Sequence, residues 1–227
     1  MKVSEIFTSI QGEGQNLGKP AIFLRMALCN LTCEWCDTKY TWDWKNYDYS
    51  KEVEEMSVVE VEQELLKFQG KHLVLTGGEP MLQQKELLPL LKSLKEHEFY
   101  IEVETNGTIK PTNEILALID QWNVSPKLEN SGNEVSAREK PECYRFFNHL
   151  PNACFKYVVK DPDDFEEVRR LAEKYQISND KIILMPEAQT TEQLTERSGW
   201  LSELSREAGY RFSTRLQIAL WGSKRGV

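Results

Sequence analysis

Short apolar runs alternate with longer amphipathic stretches along this chain. "AIFLRMAL" (21–28), "HLVLTG" (72–77), "FYIEVET" (99–105), "FKYVVK" (155–160), "KIILMP" (181–186) and "RFSTRLQIALW" (211–221) read as strands, and "WNVS" (122–125) offers a shorter one. Helix signals stand between them. Ser57 and Glu60 make a capping box ahead of "VVEVEQELLKF", Asp161 and Pro162 form a cap and first-turn pair before "DFEEVRRLAEKY", and Thr190 with Gln193 opens a helix running through Trp200. Repeated strand-then-helix units predict an α/β fold with a mainly parallel sheet. About six parallel strands fall short of the eight that close a full barrel, so the expected architecture is an incomplete, TIM-like barrel. The polar, Gly- and Pro-punctuated segment 127–143 reads as an irregular excursion rather than a boundary, and 1–227 is expected to be a single domain.

Composition narrows the setting. The formal charge is -8, with 28 basic against 36 acidic residues, which argues against a nucleic-acid partner and for a small ligand. No window approaches the roughly 18 apolar residues of a membrane span. The start "MKVSEIFTSI" lacks the apolar core of a signal peptide, so the expected location is the cytoplasm. Five cysteines, an odd number with three bunched, do not make a disulfide framework and leave thiols for metal.

The bunch is Cys29, Cys33 and Cys36, spaced C-x3-C-x2-C, with Tyr40, Trp42 and Trp44 crowded behind. Structural zinc needs a fourth protein ligand. His72, His97 and His149 are scattered, and Cys143 and Cys154 lie more than a hundred residues on. An iron-sulfur cube held by three thiolates, with one iron left open to a small molecule, is the other solution. A loop of three buried thiols is the plain alternative. The aromatics either shield a cluster or pack the loop, and Cys143 and Cys154 read as core thiols.

The pattern C-x3-C-x-aromatic-C after a strand resembles the cluster loop of the radical S-adenosylmethionine (SAM) superfamily, and "TGGEP" (76–80) resembles its methionine-binding motif. "SIQGEGQNLGKPAIFLRMALCNLTCEWCDT" (9–38), "ETNGT" (104–108), "SPK" (125–127) and the terminal "LWGSKRGV" resemble the 7-carboxy-7-deazaguanine synthase family across nearly the whole chain. The resemblance implies a radical SAM core holding a 4Fe-4S cluster, SAM and Mg2+. It implies conversion of 6-carboxy-5,6,7,8-tetrahydropterin to 7-carboxy-7-deazaguanine with loss of ammonia, on the route to queuosine. An external electron donor and a homodimer are implied as well.

By the same resemblance Cys29, Cys33 and Cys36 hold the cluster and the Thr38 hydroxyl serves Mg2+, for which a helix cap is the rival role. Trp35, Asp37, Gly77, Gly78, Glu79, Thr105, Asn106, Ser125, Pro126, Lys127 and Glu187 fall to SAM. Glycines at 77 and 78 let backbone come close to the methionine, and the Glu79 carboxylate can face its ammonium. Ile10, Gln11, Gly12, Glu13, Gly14, Arg25 and Thr76 fall to the substrate. Glu13 suits the adjacent N–H groups of an aminopyrimidinone, although "QGEG" can also be a plain turn. Arg25 suits a carboxylate, with an ion pair to a neighbouring acid as its rival. No protein residue beyond the cofactor-derived radical is implied as catalyst. Lys224 and Arg225 are either solvated or close over the substrate. A glycyl-radical activating enzyme and a non-enzymatic zinc-binding module are the competing functions.

Overall fold

The computed structural model describes residues 1–227. Nine strands form one sheet: β1 (Lys2–Ile10), β2 (Pro20–Met26), β3 (Glu54–Glu55), β4 (His72–Gly77), β5 (Tyr100–Thr105), β6 (Gln121–Val124), β7 (Ala153–Val159), β8 (Ile182–Pro186) and β9 (Arg211–Phe212). Their order is β3-β1-β2-β4-β5-β6-β7-β8-β9. From β2 through β9 all neighbours run parallel, and β1 and β3 add antiparallel strands at one edge. The sheet is an open barrel. The expected strands at 21–28, 72–77, 99–105, 122–125, 155–160 and 181–186 all form.

Period two explains how the sheet makes a site. Leu24, Met26, Leu73, Leu75, Ile101, Val103, Trp122, Val124, Phe155, Tyr157, Ile182 and Leu184 join one buried apolar cluster with the helices. Burying each such side chain contributes about 1.5–3 kcal/mol. The alternate residues Arg25, Thr76, Glu104 and Lys156 line a cavity on the opposite face. Adjacent strands bring these positions into rows, with Arg25 beside Thr76 and Glu104 beside Asn123.

The capping box of Ser57 and Glu60 forms, as does the Asp161 cap, whose reciprocal partner is Asp164. Thr190 accepts from the Gln193 amide, but its helix runs to Ala208, not Trp200, because Leu201 and Ser205 continue the buried stripe until Gly209 ends it in the left-handed region. The strand expected over 211–221 is corrected: it stops at Phe212, and Leu216–Trp221 is a helix. Only Ile218 of that helix is buried, while Leu220 and Trp221 are exposed, so the apolar run lacks the burial a central strand requires. Residues 127–143 are an excursion built from two short helical turns, Glu129–Ser131 and Val135–Arg138, ahead of the helix that starts at Pro141. No helix is long and apolar enough to cross a membrane.

Candidate active site

A cavity of about 520 Å³ opens on the concave face of the sheet, a volume that suits a small-molecule site. Cys29, Cys33, Cys36, Trp35, Asp37 and Thr38 of the loop after β2 line it. So do Ile10 at the end of β1 and Gln11, Gly12 and Glu13 after it, Arg25 on β2, Thr76, Gly77 and Gly78 at the end of β4, Thr105 and Asn106 at the end of β5, and Ser125 and Lys127 after β6. Gly14, Glu79, Pro126 and Glu187 do not line it.

The three thiols of this loop line the cavity together, and a cube takes each sulfur on a different iron. Each thiol here has its own polar neighbour: the Leu31 amide 3.5 Å from Cys29, the Asn133 amide nitrogen 3.3 Å from Cys33 and the Trp42 indole nitrogen 3.4 Å from Cys36. N–H donors of this kind stabilise ligating sulfur. Burial pushes the Cys29 thiol up to about 12 and raises that of Cys33. Such thiols surrender their protons on ligation.

Gly77 and Gly78 seat this loop. A Cβ on Gly77 would stand 2.1 Å from Met26 O, and one on Gly78 2.0 Å from Leu28 O and 3.0 Å from Cys29 Cβ. Gly77 also has φ +134°. The glycines are thus required by the close approach of the cluster loop. Glu79 is the residue expected to face the ammonium. It is fully buried, and its oxygens accept from the amides of Met81 and Asn106 and from the Thr105 hydroxyl, at 2.7 to 2.9 Å. It ties the end of β4 to the end of β5. Glu187 likewise pairs with Arg197 away from the cavity. The Gly14 amide is spent on the Ser213 hydroxyl, 3.0 Å away.

The Thr38 hydroxyl caps no helix. Its neighbour is the Cys36 sulfur, 3.5 Å away. Arg25 is held by an ion pair with Glu5, Nε to Oε2 2.7 Å, and Nε is its only nitrogen with a protein partner. Its rival role is therefore real, while the end of the guanidinium fork stays unpaired in a cavity-lining residue. Lys127 bonds the carbonyl and hydroxyl of Ser125 and lies over the Trp35 ring. Asn106 is bound to Asn30 and Thr108.

The floor holds charges that motif matching missed. Lys156 Nζ lies 2.7 Å from both Glu13 Oε2 and Glu104 Oε2, and Gln11 bonds Glu102 and Glu104. Burial alone would push the Glu13 carboxyl up, but Lys156 and Arg215 overcome it and hold the group well below the usual carboxylate range. Burial keeps Glu104 raised, opposed chiefly by Lys156. Gln217, Gln189 and residues 222–227 also line the cavity, and Phe7 stacks on Phe23 at 5.0 Å along its wall. A charged residue inside an apolar strand, as in "FKYVV" and "YIEVET", is the signal that would have found Lys156 and Glu104.

The model of a family described as a 4Fe-4S single cluster domain matches residues 10–140. Fold and site thus define a single-cluster iron-sulfur protein with the open-barrel radical SAM architecture. A 7-carboxy-7-deazaguanine synthase of Pyrobaculum aerophilum is 40% identical over 226 residues, covering 100% of this chain and 97% of that one. Another from Rhodopirellula baltica is 32% identical, covering 99% and 88%. The crystal structure of QueE from Escherichia coli superposes with a TM-score of 0.68 at 27% identity, over 95% of this chain and 93% of that one. Streptococcus suis SuiB bound to S-adenosylmethionine shares the fold, with a TM-score of 0.54 at 15% identity, over 85% of this chain and 51% of its own. The chain belongs to the 7-carboxy-7-deazaguanine synthase family.

Proposed function

We propose that this chain converts 6-carboxy-5,6,7,8-tetrahydropterin to 7-carboxy-7-deazaguanine with loss of ammonia, as a radical SAM enzyme of queuosine biosynthesis. One observation carries the reading: the three thiols and Gln11, Gly12 and Glu13 of the "QGEG" motif line the same cavity. When bound, a reduced 4Fe-4S cluster and SAM supply a 5'-deoxyadenosyl radical that takes a hydrogen from the substrate.

The chain's residues hold and orient. Cys29, Cys33 and Cys36 would ligate three irons. Trp35, Asp37, Gly77, Gly78, Thr105, Asn106, Ser125 and Lys127 would surround SAM. Gln11, Gly12, Glu13 and Thr76 would meet the pterin ring, where an ionised Glu13 can accept two adjacent N–H groups. The free end of Arg25 suits the substrate carboxylate. The Thr38 hydroxyl, which has no capping duty, is available to Mg2+, a cation that takes oxygen ligands and keeps several waters. The continuous sheet supports one domain for the whole chain. A cytoplasmic homodimer fed by an external electron donor completes the proposal. The test is to supply SAM, a reductant, Mg2+ and the pterin to the anaerobically purified, iron-loaded protein and to look for 7-carboxy-7-deazaguanine.

A further inference from the structure

We propose that Arg215 is a positioning residue that sets the register between the cluster-bearing loop and the substrate-binding motif. The inference rests on the function above and concerns a residue that no motif of the family resemblance includes.

The two motifs begin far apart. Ile10, the residue before "QGEG", pairs with Pro20 at the start of β2, whereas the cluster loop leaves β2 beyond Met26 at its other end. Something must hold one against the other. Arg215 reaches both: its Nε lies 3.0 Å from Glu13 Oε1, one terminal nitrogen pairs with the Asp37 carboxylate, and the other donates to the Ala188 carbonyl. Three donors of one planar fork thus grip three separate segments.

Arg215 is tied to the substrate motif. The Leu216 amide donates to Gly12 O at 2.9 Å, the Gly14 amide donates to the Ser213 hydroxyl at 3.0 Å, and Gln217 Nε2 donates to Glu13 at 2.6 Å. A Cβ on Gly12 would stand 3.2 Å from Gln217 N, so the two backbones are closely apposed. The bond to Asp37 is a direct grip of this assembly on the cluster loop, beside the one Gln189 makes to the Trp35 carbonyl at 3.2 Å.

Charge compensation alone does not account for the arrangement. Glu13 already has Lys156 at 2.7 Å. The Asp37 side chain is 48% exposed, so water can solvate it, while the Arg215 side chain is 8% exposed and gives up its hydration. A desolvated guanidinium shared with a solvated carboxylate adds little stability. It does fix a distance. Lysine keeps the charge but lacks the fork that spans divergent acceptors.

Register matters to one step more than to the other. Reductive cleavage of SAM takes place at the cluster loop. Hydrogen transfer from the substrate needs the two carbons about 3–3.5 Å apart, and a displacement of about 1 Å costs on the order of a hundredfold. Loosening Arg215 should let SAM be cleaved without turnover of the pterin.

The experiment compares Arg215→Lys with the parent protein, with iron content and thermal midpoint measured on each. The readout is 5'-deoxyadenosine formed per 7-carboxy-7-deazaguanine formed, from SAM, a reductant and 6-carboxy-5,6,7,8-tetrahydropterin. The expected result is a ratio raised about tenfold or more in Arg215→Lys, at unchanged iron content. In substrate-free protein, amide exchange across residues 34–39 should also be faster in Arg215→Lys. An unchanged ratio, with both molecules falling together, or unchanged exchange in that segment, would overturn the proposal. A parent protein that makes no deazaguanine would overturn the assigned reaction instead, and the exchange measurement would still decide the role of Arg215.

Discussion

Lys156 Nζ stands 2.7 Å from Glu13 Oε2, a buried ion pair that joins β7 to the loop after β1 on the floor of the cavity. The lysine side chain is 4% exposed and also meets Glu104 at 2.7 Å. Two carboxylates thus depend on a single cation, supplemented at Glu13 by Arg215.

Replacing that cation should be costly. Lys156→Met leaves buried carboxylates undercompensated, and loss of one partner of a buried pair costs about 3–5 kcal/mol. Denaturant unfolding at neutral pH should show it. The pH dependence has a definite sign. Glu13 is held below its ordinary value of 4.5, so its stabilisation is present above that value and fades as pH falls through the depressed one. Burial opposes the charge on Lys156, but Glu104 and Glu13 raise it above its ordinary 10.5, so its contribution is present below that value and fades as pH rises through the raised one. In the variant Glu104 loses its cation while Glu13 keeps Arg215, so Glu104 takes up a proton more readily on acidification. The gap between variant and parent should therefore narrow as pH falls from neutrality toward the raised value of the Glu104 carboxyl. A constant gap would mean that the methionine disturbs packing alone.

Trp42 should tune the cluster. Its indole N–H lies 3.4 Å from the Cys36 sulfur, and a donor to ligating sulfur favours the reduced, more negative state. Trp42→Phe keeps an aromatic ring and removes the donor. At a fixed poise the reduced-to-oxidised ratio should fall about threefold to tenfold, up to about 59 mV for a one-electron couple. Redox titration followed by electron paramagnetic resonance reads this directly, and an unchanged midpoint would leave Trp42 with packing alone.

What could be seen beforehand divides along physical lines. The parallel strands were visible because each is buried on its helix face and reads as an apolar run. β1 was not anticipated: in "KVSEIFTSI" only Val3 is buried, so the run lacks a clear periodic signal. The 211–221 run misled in the other direction, because Leu216, Ile218, Leu220 and Trp221 look like a strand until their exposure is known. Residues close in sequence to the cysteines and to "GGEP" could be placed in the site by motif. Lys156, Glu104 and Arg215 come together only through folding, as when Arg215 meets Asp37 across 178 positions. Glu79 shows the reverse limit: a motif residue whose carboxylate turns inward to backbone amides.

The five thiols should separate cleanly. Alanine at Cys29, Cys33 or Cys36 should abolish cluster assembly and SAM cleavage, because a three-ligand site has no spare. Serine at Cys143 or Cys154 should leave iron content intact. Burial, helped by nearby carboxylates, pushes these two thiols up, to about 11 and about 12, and Cys154 makes its 3.1 Å contact to Asn123 Oδ1 in the interior. Iron and sulfide analysis with a 5'-deoxyadenosine assay checks each variant. Near-parental values in any of the first three would contradict the ligand assignment.

The central claim is that SAM is cleaved beside the pterin, with the hydrogen leaving substrate C6. Its most direct test is turnover of 6-carboxy-5,6,7,8-tetrahydropterin deuterated at C6, with mass analysis of 5'-deoxyadenosine and of recovered SAM. The account predicts deuterium in the 5'-deoxyadenosine, or in SAM if the transfer reverses. Formation of 7-carboxy-7-deazaguanine while both molecules stay unlabelled would contradict it.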